Sequence, residues 1–392
     1  MAYPYNGQLS PQVGGGLGGL PFRKSAVASV ITSANNKNPY STPFSSGLTS
    51  TEPPLAACQF SESSAIVFFR AGGTAPALAL LSIDSKSNQV ITKGATNTSL
   101  TGTGASGNIV KLTNNLALCA FSGNSGYLDA ASLTISGTSI VSGTQATNLS
   151  LSGVASQIEL QRINDSQALC AFLNTTTGVV NFCVLTVSLS GVVTSGSVLT
   201  TSLVAPYHAL TALDSATAIY CHQQAASSYS KAVVVAISGT SVSINTGVDC
   251  SGGVQASNQT ICQISPSSAL LTYLNGTTNY YNSVVLSVVG GAIVVGTIKV
   301  TTESQNGTLF GSLLNLGGGY YCHVIGVTPA ISVLSISSLN IISYETSSPV
   351  FIAGSGGANS NTKAVVLKNN KILVMYSGTS GAIQACLTLL GG

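Results

Sequence analysis

The stretch at residues 116–121, Leu-Ala-Leu-Cys-Ala-Phe, decides the fold because near copies of it recur along the chain. It is a short apolar strand pattern, and it follows the polar turn Thr113-Asn114-Asn115. The other copies lie at residues 65–69, 168–172, 218–221, 269–273, 320–322 and 372–376. Measured between equivalent alanine, tyrosine or isoleucine positions, the seven copies are 52, 51, 50, 51, 51 and 52 residues apart. A regular period of this length is typical of repeat architectures whose units pack on their neighbours.

Each repeat has room for four short antiparallel strands. In the second repeat the pattern predicts strands at residues 109–112, 116–121, 128–135 and 139–141, and the tight turn Ser136-Gly137-Thr138 joins the last two. Glycine recurs in this turn in later repeats and supplies the positive φ that a two-residue hairpin requires. Four strands in each of seven repeats predict an all-β fold, a seven-bladed β-propeller spanning residues 55–392. A β-solenoid would need shorter repeats, and sandwich domains would need about 100 residues each.

The two ends of the chain predict how the ring closes. Residues 1–24 form a Gly/Pro-rich segment, which is expected to be an extended arm. The last repeat ends without a fourth strand, whereas residues 25–54 contain a strand pattern at Ala26–Thr32 and then a proline-rich linker. We therefore expect residues 25–54 to contain a ring-closing strand, with Ala26–Thr32 as the outer strand of the last blade.

Composition limits the classes of function. Only 6% of the residues are charged and the net charge is +3, without a basic cluster, which argues against nucleic-acid binding. The first residues lack the basic and apolar segments of a secretory signal peptide. The longest uncharged apolar run, residues 284–298, is interrupted by the hairpin signal Gly290-Gly291, so no membrane span is expected.

The cysteines and histidines do not form a recognisable metal or disulfide pattern. The nine cysteines include no Cys-x-x-Cys motif, and several recur at equivalent repeat positions, which predicts small buried core residues kept reduced. His208, His222 and His323 are not at zinc-ligand spacing. No metal ion and no cofactor are predicted.

The residues that could form a catalytic set also have simpler structural explanations. Asp165 and Asp214 occupy equivalent turns, where a polar turn residue is the ordinary explanation. The pairs Cys221-His222 and Cys322-His323 are consecutive in predicted strands, so their side chains should point to opposite faces and should not form a nucleophile and base. A non-enzymatic protein is therefore expected.

Binding is the more credible role, and two groups of residues are candidates for it. The loops between the second and third strands of the repeats carry aromatic residues among Asn, Ser and Thr, which could dock a glycan or a protein edge. Ordinary hairpin loops with half-buried aromatic residues would look the same, and the chain has no Trp for a typical sugar-stacking platform. The N-terminal arm carries apolar anchors that could lie in the grooves of a neighbouring subunit. The candidates are Tyr127, Tyr229, Tyr280 and Tyr281 in the loops and Tyr3, Tyr5, Leu20 and Phe22 in the arm.

The second repeat contains, in order, a strand ending in ALCAF, a loop, a strand, the turn SGT and a further strand. This order of elements resembles the Ser/Thr/Gly-rich propeller-like repeats of tailed-bacteriophage virion proteins. The resemblance covers roughly residues 55–392. It implies a structural role in the tail, in a fibre or on the capsid exterior, and it carries over no functional residues. A virion protein assembled in the bacterial host cytoplasm would also account for reduced cysteines.

We therefore predict a non-enzymatic virion assembly protein, most simply a tail or fibre component. It would dock to other virion proteins through its arm and propeller faces, in a homo-oligomer or another symmetric assembly. The alternative is a host-surface or glycan-binding propeller that recognises a receptor. A propeller hydrolase is the third interpretation.

Overall fold

The structure is a computed structural model, and it contains seven antiparallel sheets arranged as the blades of one ring. The seven-bladed, all-β prediction is therefore confirmed. The described residues form strands, turns and loops without a helix. The structure describes residues 44–48, 54–71, 75–83, 91–149, 153–304, 311–325, 330–337, 341–344, 350–351, 362–368, 371–377 and 383–389.

The strands follow one another through the blades in chain order, starting with β1 (Phe44–Leu48), which precedes blade 1. The blades are blade 1, β2 (Ala56–Ser61), β3 (Ser64–Ala71), β4 (Ala75–Ile83) and β5 (Ile91–Lys93); blade 2, β6 (Gly107–Lys111), β7 (Leu116–Ser122), β8 (Leu128–Ser136) and β9 (Ser139–Ser142); blade 3, β10 (Ala155–Arg162), β11 (Gln167–Asn174), β12 (Val179–Val187), β13 (Val193–Ser195) and β14 (Leu199–Thr200); blade 4, β15 (His208–Ala212), β16 (Thr217–Gln223), β17 (Ser230–Ser238), β18 (Ser241–Ile244) and β19 (Val248–Asp249); blade 5, β20 (Ala256–Ser265), β21 (Ser268–Asn275), β22 (Tyr280–Val289), β23 (Ala292–Val295) and β24 (Lys299–Ser304); blade 6, β25 (Ser312–Gly317), β26 (Tyr320–Ile325), β27 (Ala330–Ile336), β28 (Ile342–Tyr344) and β29 (Val350–Phe351); and blade 7, β30 (Lys363–Leu367), β31 (Lys371–Ser377) and β32 (Ile383–Leu389).

The first strand of each blade lies innermost. These seven strands, β2, β6, β10, β15, β20, β25 and β30, pack side by side around a central channel, and β30 meets β2 to complete the circle. The second, third and fourth strands of each blade follow outward, and in blades 3 to 6 a short fifth strand pairs with the third. The ring thus places one strand of every blade at the channel wall.

The alternation of side chains along each strand explains why a blade needs two neighbours. In β7, Ala117, Cys119 and Phe121 pack in the core shared with blade 1, whereas Leu118 and Ala120 pack in the core shared with blade 3. All five side chains are fully buried. Each large apolar side chain buried in this way contributes about 1.5–3 kcal/mol. A single blade would expose both sets to water, so the stability of the fold comes from the ring.

Blade 6 departs from the register of the other blades by one residue. Tyr320 faces blade 7 and Tyr321 faces blade 5, whereas Ala117 and its equivalents in the remaining blades face the preceding blade. The shift arises at the turn before β26, where Gly317, Gly318 and Gly319 have φ of 83°, 61° and 82° and the pairing of β25 with β26 is irregular. Tyr321 therefore takes the packing position that the sequence repeat assigned to Tyr320, and Cys322 faces the opposite way from Cys119.

The outer strand of blade 7 comes from the start of the chain. β1 pairs antiparallel with β32, with Phe44 opposite Ala385 and Ser45 opposite Gln384. The strand that closes the ring thus lies within residues 25–54, but it is Phe44–Leu48 and not Ala26–Thr32. The connection from Leu48 to Ala56 is short, as expected between an outer strand and the next inner strand, and Ala26–Thr32 would leave a much longer one. Ala26–Thr32 and the predicted arm, residues 1–24, lie outside the described residues.

The nine cysteines are all buried and none forms a disulfide, as predicted. Burial raises the pKa of the Cys58, Cys119 and Cys386 thiols to about 12. A thiol with such a pKa is not a nucleophile at neutral pH, so these positions serve packing. Along the part of the chain that the structure describes, no helix is long and apolar enough to cross a membrane.

The pairing of β1 with β32 predicts a sharp dependence of stability on where the chain begins. A chain that lacks residues 1–49 is expected to melt well below the full-length protein, because β32 loses its outer partner and the ring is no longer fastened between its first and last repeats. A chain that lacks only residues 1–33 keeps β1 and should melt close to the full-length protein. Thermal unfolding followed by circular dichroism compares the three; an equal loss in both truncations would contradict closure by Phe44–Leu48.

Candidate functional site

The ring has two chemically distinct faces. The loops between second and third strands lie beside the links that enter the next blade: the Ala155 N–H donates to the Gly126 carbonyl at 2.7 Å, and the Ala256 N–H donates to the Ser228 carbonyl at 2.8 Å. We call this side the loop face. The hairpin turns between first and second and between third and fourth strands lie on the opposite side, the turn face. The loops between second and third strands and the links between blades therefore share one face of the ring.

The candidate tyrosines do not gather into one site. Tyr127, Tyr229 and Tyr280 are half-buried at the loop face, and they belong to blades 2, 4 and 5. Tyr281 is buried, and its ring meets His323 of blade 6 edge to face at 4.7 Å between centroids. The assignment of Tyr281 to a docking surface was wrong, because consecutive strand residues point to opposite sides and only one of the two tyrosines can face outward. The arm candidates Tyr3, Tyr5, Leu20 and Phe22 lie outside the described residues.

A groove between blades 5 and 6 is the best candidate site on the described surface. It consists of two cavities of about 330 and about 450 Å³ that share Ser287 in their walls. Their sizes lie in the range of small-molecule pockets, roughly 300–1,000 Å³. We call this feature the blade 5–6 groove. The first cavity opens at the turn face and the second toward the rim; together they are lined by Ile264, Ser265, Ser267, Ser268, Val285, Ser287, Val294, Gly296, Thr297, Lys299, Gly319, Tyr321, Ile336, Ser337, Ile341 and Ile342.

Hydroxyl groups dominate the polar chemistry of the groove. The Ser265 and Ser268 hydroxyl oxygens are 2.7 Å apart, and the Ser267 N–H donates to the Ser265 hydroxyl at 3.2 Å. The Ser287 hydroxyl lines both cavities and has no hydrogen-bond partner among the described residues. Each hydroxyl can both donate and accept, so this wall can match a ligand that itself carries hydroxyl groups.

Two repeat positions on the blade 5 side of the groove carry small residues, as they also do in blade 1, where Ser64 lies opposite Ser82. Ser268 and Ser287 are paired across β21 and β22. Blade 2 has Leu116 opposite Thr134 at the same positions, and Leu116 packs against the core shared with blade 3. Blade 3 has Gln167 opposite Thr186, and the Gln167 amide lies 3.2 Å from the Thr186 hydroxyl. Replacing these longer side chains by serine removes bulk and leaves hydroxyl groups facing the space.

The sequence analysis did not identify this groove. Its signal was present in the alignment of the repeats, as a position that changes from Leu116 and Gln167 to Ser268. The groove is nearly neutral, since Lys299 at its outer end is the single charged residue among those that line it.

A buried histidine pair lies near the inner strands of blade 4. The His208 and His222 rings flank the Tyr220 ring, with centroid distances of 5.4 and 5.8 Å, and His208 Nε2 contacts the Gln157 carbonyl. Cys221 packs on the other side of the strand, in the core shared with blade 5. Cys221 and His222 therefore face apart, as the alternation of a strand predicts, and they form no nucleophile and base pair.

Burial also sets the protonation of the histidines. It lowers the pKa of His208 and of His222 to about 4 and that of His323 to about 3. The rings are therefore neutral at pH 7. Both ring nitrogens of His222 are buried without a hydrogen-bond partner among the described residues. Within those residues no group of three or more His, Cys, Asp and Glu side chains is arranged to hold a metal ion.

These histidines predict acid sensitivity. A histidine whose pKa is about 4 when folded and about 6.5 when unfolded makes its full contribution to stability above pH 6.5 and loses it as the pH falls toward 4. The His222→Phe variant removes one such group, so its free energy of unfolding should fall less steeply over this range, by up to about 1.4 kcal/mol per pH unit. Urea denaturation at a series of pH values measures the slope; an unchanged slope would show that His222 is already protonated in the folded protein.

Comparisons with known proteins add information about the fold. No protein-family model matches the sequence, and no curated protein matches it. Among solved structures, the chain is similar to BP39L lectin from Burkholderia pseudomallei, with a TM-score of 0.61 and 12% identity over 88% of this chain and 98% of that chain. AofleA from Arthrobotrys oligospora gives a TM-score of 0.47 and 8% identity over 80% and 90% of the two chains. Aleuria aurantia lectin in complex with Fucα1-6GlcNAc gives 0.42 and 10% over 87% and 96%.

The first of these similarities extends over nearly the whole of both chains, and at 12% identity it establishes a shared fold. The other two superpositions are too loose to support an argument. The prediction of a tailed-phage virion protein is not tested by these comparisons and stays a prediction. The chain is thus a seven-bladed β-propeller whose overall fold is similar to that of BP39L lectin.

Proposed function

We propose that this protein is a non-enzymatic carbohydrate-binding propeller, and that the blade 5–6 groove is its binding site. The observation that carries the proposal is the wall of serine hydroxyls in that groove, where the Ser287 hydroxyl has no hydrogen-bond partner among the described residues. The likeness in fold to a lectin over 88% of the chain supports the same class of function. The glycan-binding alternative of the sequence analysis is therefore favoured over the assembly role.

The chemistry of the groove matches a sugar better than it matches a charged or an apolar ligand. A sugar presents several hydroxyl groups around a ring with apolar C–H faces. The groove offers hydroxyls from Ser265, Ser268 and Ser287 on one side, and apolar surface from Tyr321 and Ile336 next to them. Such a mixture of apolar walls and a few oriented polar groups is the usual composition of a small-molecule pocket.

The composition of the chain supports the proposal indirectly. With charged residues at 6%, most of the polar surface consists of Ser, Thr, Asn and Gln. These neutral groups hydrogen-bond sugars without the desolvation cost of an ion. A glycan-binding propeller could serve as the recognition part of a virion, so the proposal and the virion prediction are compatible.

The proposal predicts that filling the groove abolishes sugar binding. Wild-type protein is first screened on an array of mono- and oligosaccharides, and the best ligand is then titrated by calorimetry. In Ser287→Leu the added side chain occupies the space shared by the two cavities, so affinity for that ligand should fall at least about tenfold, which corresponds to about 1.4 kcal/mol.

Thr134→Leu is the matched control, because Thr134 holds the same position of blade 2, where Leu116 lies opposite it in place of Ser268. It should bind the sugar as the wild type does, and the melting temperatures of both variants should stay near that of the wild type. Absence of any glycan binding by the wild type would overturn the proposed function. Equal affinity in Ser287→Leu would move the site away from the blade 5–6 groove.

A further inference from the structure

The central channel holds a second space, distinct from the blade 5–6 groove. Its volume is about 110 Å³, and residues from the first strands of all seven blades line it. The polar side chains among them are Asn108, Glu159, Gln161, Gln259, Thr260, Ser312 and Lys363. A space of this size corresponds to about three or four water molecules at about 30 Å³ each. It is large enough for a small organic molecule.

Two opposite charges face this space from far apart in the ring. Glu159 belongs to blade 3 and Lys363 to blade 7, so two blades separate them on one side and three on the other. They hold the same position of the repeat, since Glu159 lies opposite Ala171 and Lys363 opposite Met375, each three residues after the start of the recurring strand motif. They therefore lie at the same depth in the channel.

Glu159 and Lys363 interact electrostatically across the space but make no direct contact. Glu159 accepts a hydrogen bond from the Asn108 amide at 3.1 Å, and no direct ion pair joins it to Lys363. Burial raises the pKa of Glu159 to about 7, and the positive charge of Lys363 partly opposes that rise. Burial likewise lowers the pKa of Lys363, and Glu159 partly opposes that change. Glu159 and Lys363 thus lie at the wall of the channel, each with the opposite charge across the space.

Unpaired amide and hydroxyl groups line the same space. The Gln259 side chain is only 3% exposed, and neither its amide oxygen nor its amide nitrogen has a hydrogen-bond partner among the described residues. The Thr260 hydroxyl, which also lines the space, is buried and unpaired in the same way. A buried polar group without a partner costs about 1–3 kcal/mol, so these groups are expected to bond to something in the channel.

We propose that the channel binds a small zwitterion that carries a primary ammonium group and a carboxylate, such as an amino acid without a large side chain. Its ammonium group would lie against Glu159 and its carboxylate against Lys363, while Gln259 and Thr260 would hydrogen-bond its polar atoms. The seven first strands surround the molecule, so that binding would also bridge blades on opposite sides of the ring.

The alternatives match the site less well. A single cation or anion would pair with one of Glu159 and Lys363 and would be repelled by the other. A neutral sugar could satisfy Gln259 and Thr260, but it would offer no opposite charge to Glu159 or to Lys363. A zwitterion pairs both charges and leaves the whole neutral.

The test is a titration of the full-length protein with glycine, β-alanine and 4-aminobutyrate, followed by calorimetry and by ligand-observed NMR. These probes differ in the distance between their charges, and acetate and methylammonium serve as single-charge controls. We expect saturable binding of at least one zwitterion, at least tenfold tighter than either control. No saturable binding of any of the three to the wild type would overturn the proposal, leaving only water in the channel.

Substitutions then assign the binding to the channel. Glu159→Gln and Lys363→Met each remove one charge at similar size, and each should weaken binding of the preferred zwitterion at least tenfold. The double exchange Glu159→Lys with Lys363→Glu keeps one charge of each sign and should recover part of that loss, with the ligand reversed. Unchanged affinity in both single variants would place the zwitterion elsewhere and overturn the assignment.

The test of zwitterion binding in the channel is independent of the test of sugar binding at the blade 5–6 groove. Glycan affinity at the blade 5–6 groove should be the same in the channel variants as in the wild type, and zwitterion affinity should be the same in Ser287→Leu. Failure of one of the two proposals can therefore be told from failure of the other.

Discussion

The alternation of side chains along buried strands is the constraint on which the rest of the structure depends. A strand such as β7 places Phe121 against one neighbouring blade and Leu118 against the other, so neither face of the sheet can be left to water. An open stack of such sheets would always leave two apolar faces exposed at its ends. Closing the ring removes both ends, and the pairing of β1 with β32 fastens the first repeat segment to the last.

Polar side chains then fix the blades around the channel. The Lys111 ammonium donates to the Phe60 carbonyl of blade 1 at 2.6 Å, and the Asn315 amide donates to the Gln263 carbonyl of blade 5 at 3.0 Å. The Gln263 amide donates in turn to the Leu213 carbonyl of blade 4. Each of these bonds runs from the first strand of one blade to the end of the preceding first strand, so a long polar side chain at one repeat position sets the spacing of neighbouring blades.

The fold could be predicted from the sequence because its signal is repeated. Seven copies of one strand motif average out local irregularities, and the period of about 51 residues with glycine turns allows few other architectures. The cysteines could be assigned to packing for the same reason, since Val67 and Val374 take the place of Cys119 in other repeats. Features that occur only once along the chain were harder to predict. The one-residue shift at Gly317–Gly319 and the identity of the closing strand each occur once, and no second copy could reveal them.

The candidate sites could not be predicted from the sequence, for a different physical reason. The loop tyrosines were candidates because aromatic side chains in loops can dock a ligand, yet Tyr281 is buried against His323. The groove lies where blade 5 carries small serines, at positions where blades 2 and 3 carry Leu116 and Gln167. The channel depends on Glu159 and Lys363, which are four repeats apart in the chain and become neighbours across a common space only after the ring has closed.

The two sites follow one principle in the way they are built. Positions shared by the repeats hold the blades together, so changing them would cost stability at a packed interface. Positions that vary between blades can change the shape or charge of one interface while the other interfaces keep the ring closed. Ser268 and Ser287 use this freedom at the edge of blade 5, and Glu159 and Lys363 use it at the channel wall. A closed ring of seven similar blades can therefore carry specific sites without symmetry, because the stability of the whole does not rest on any one of them.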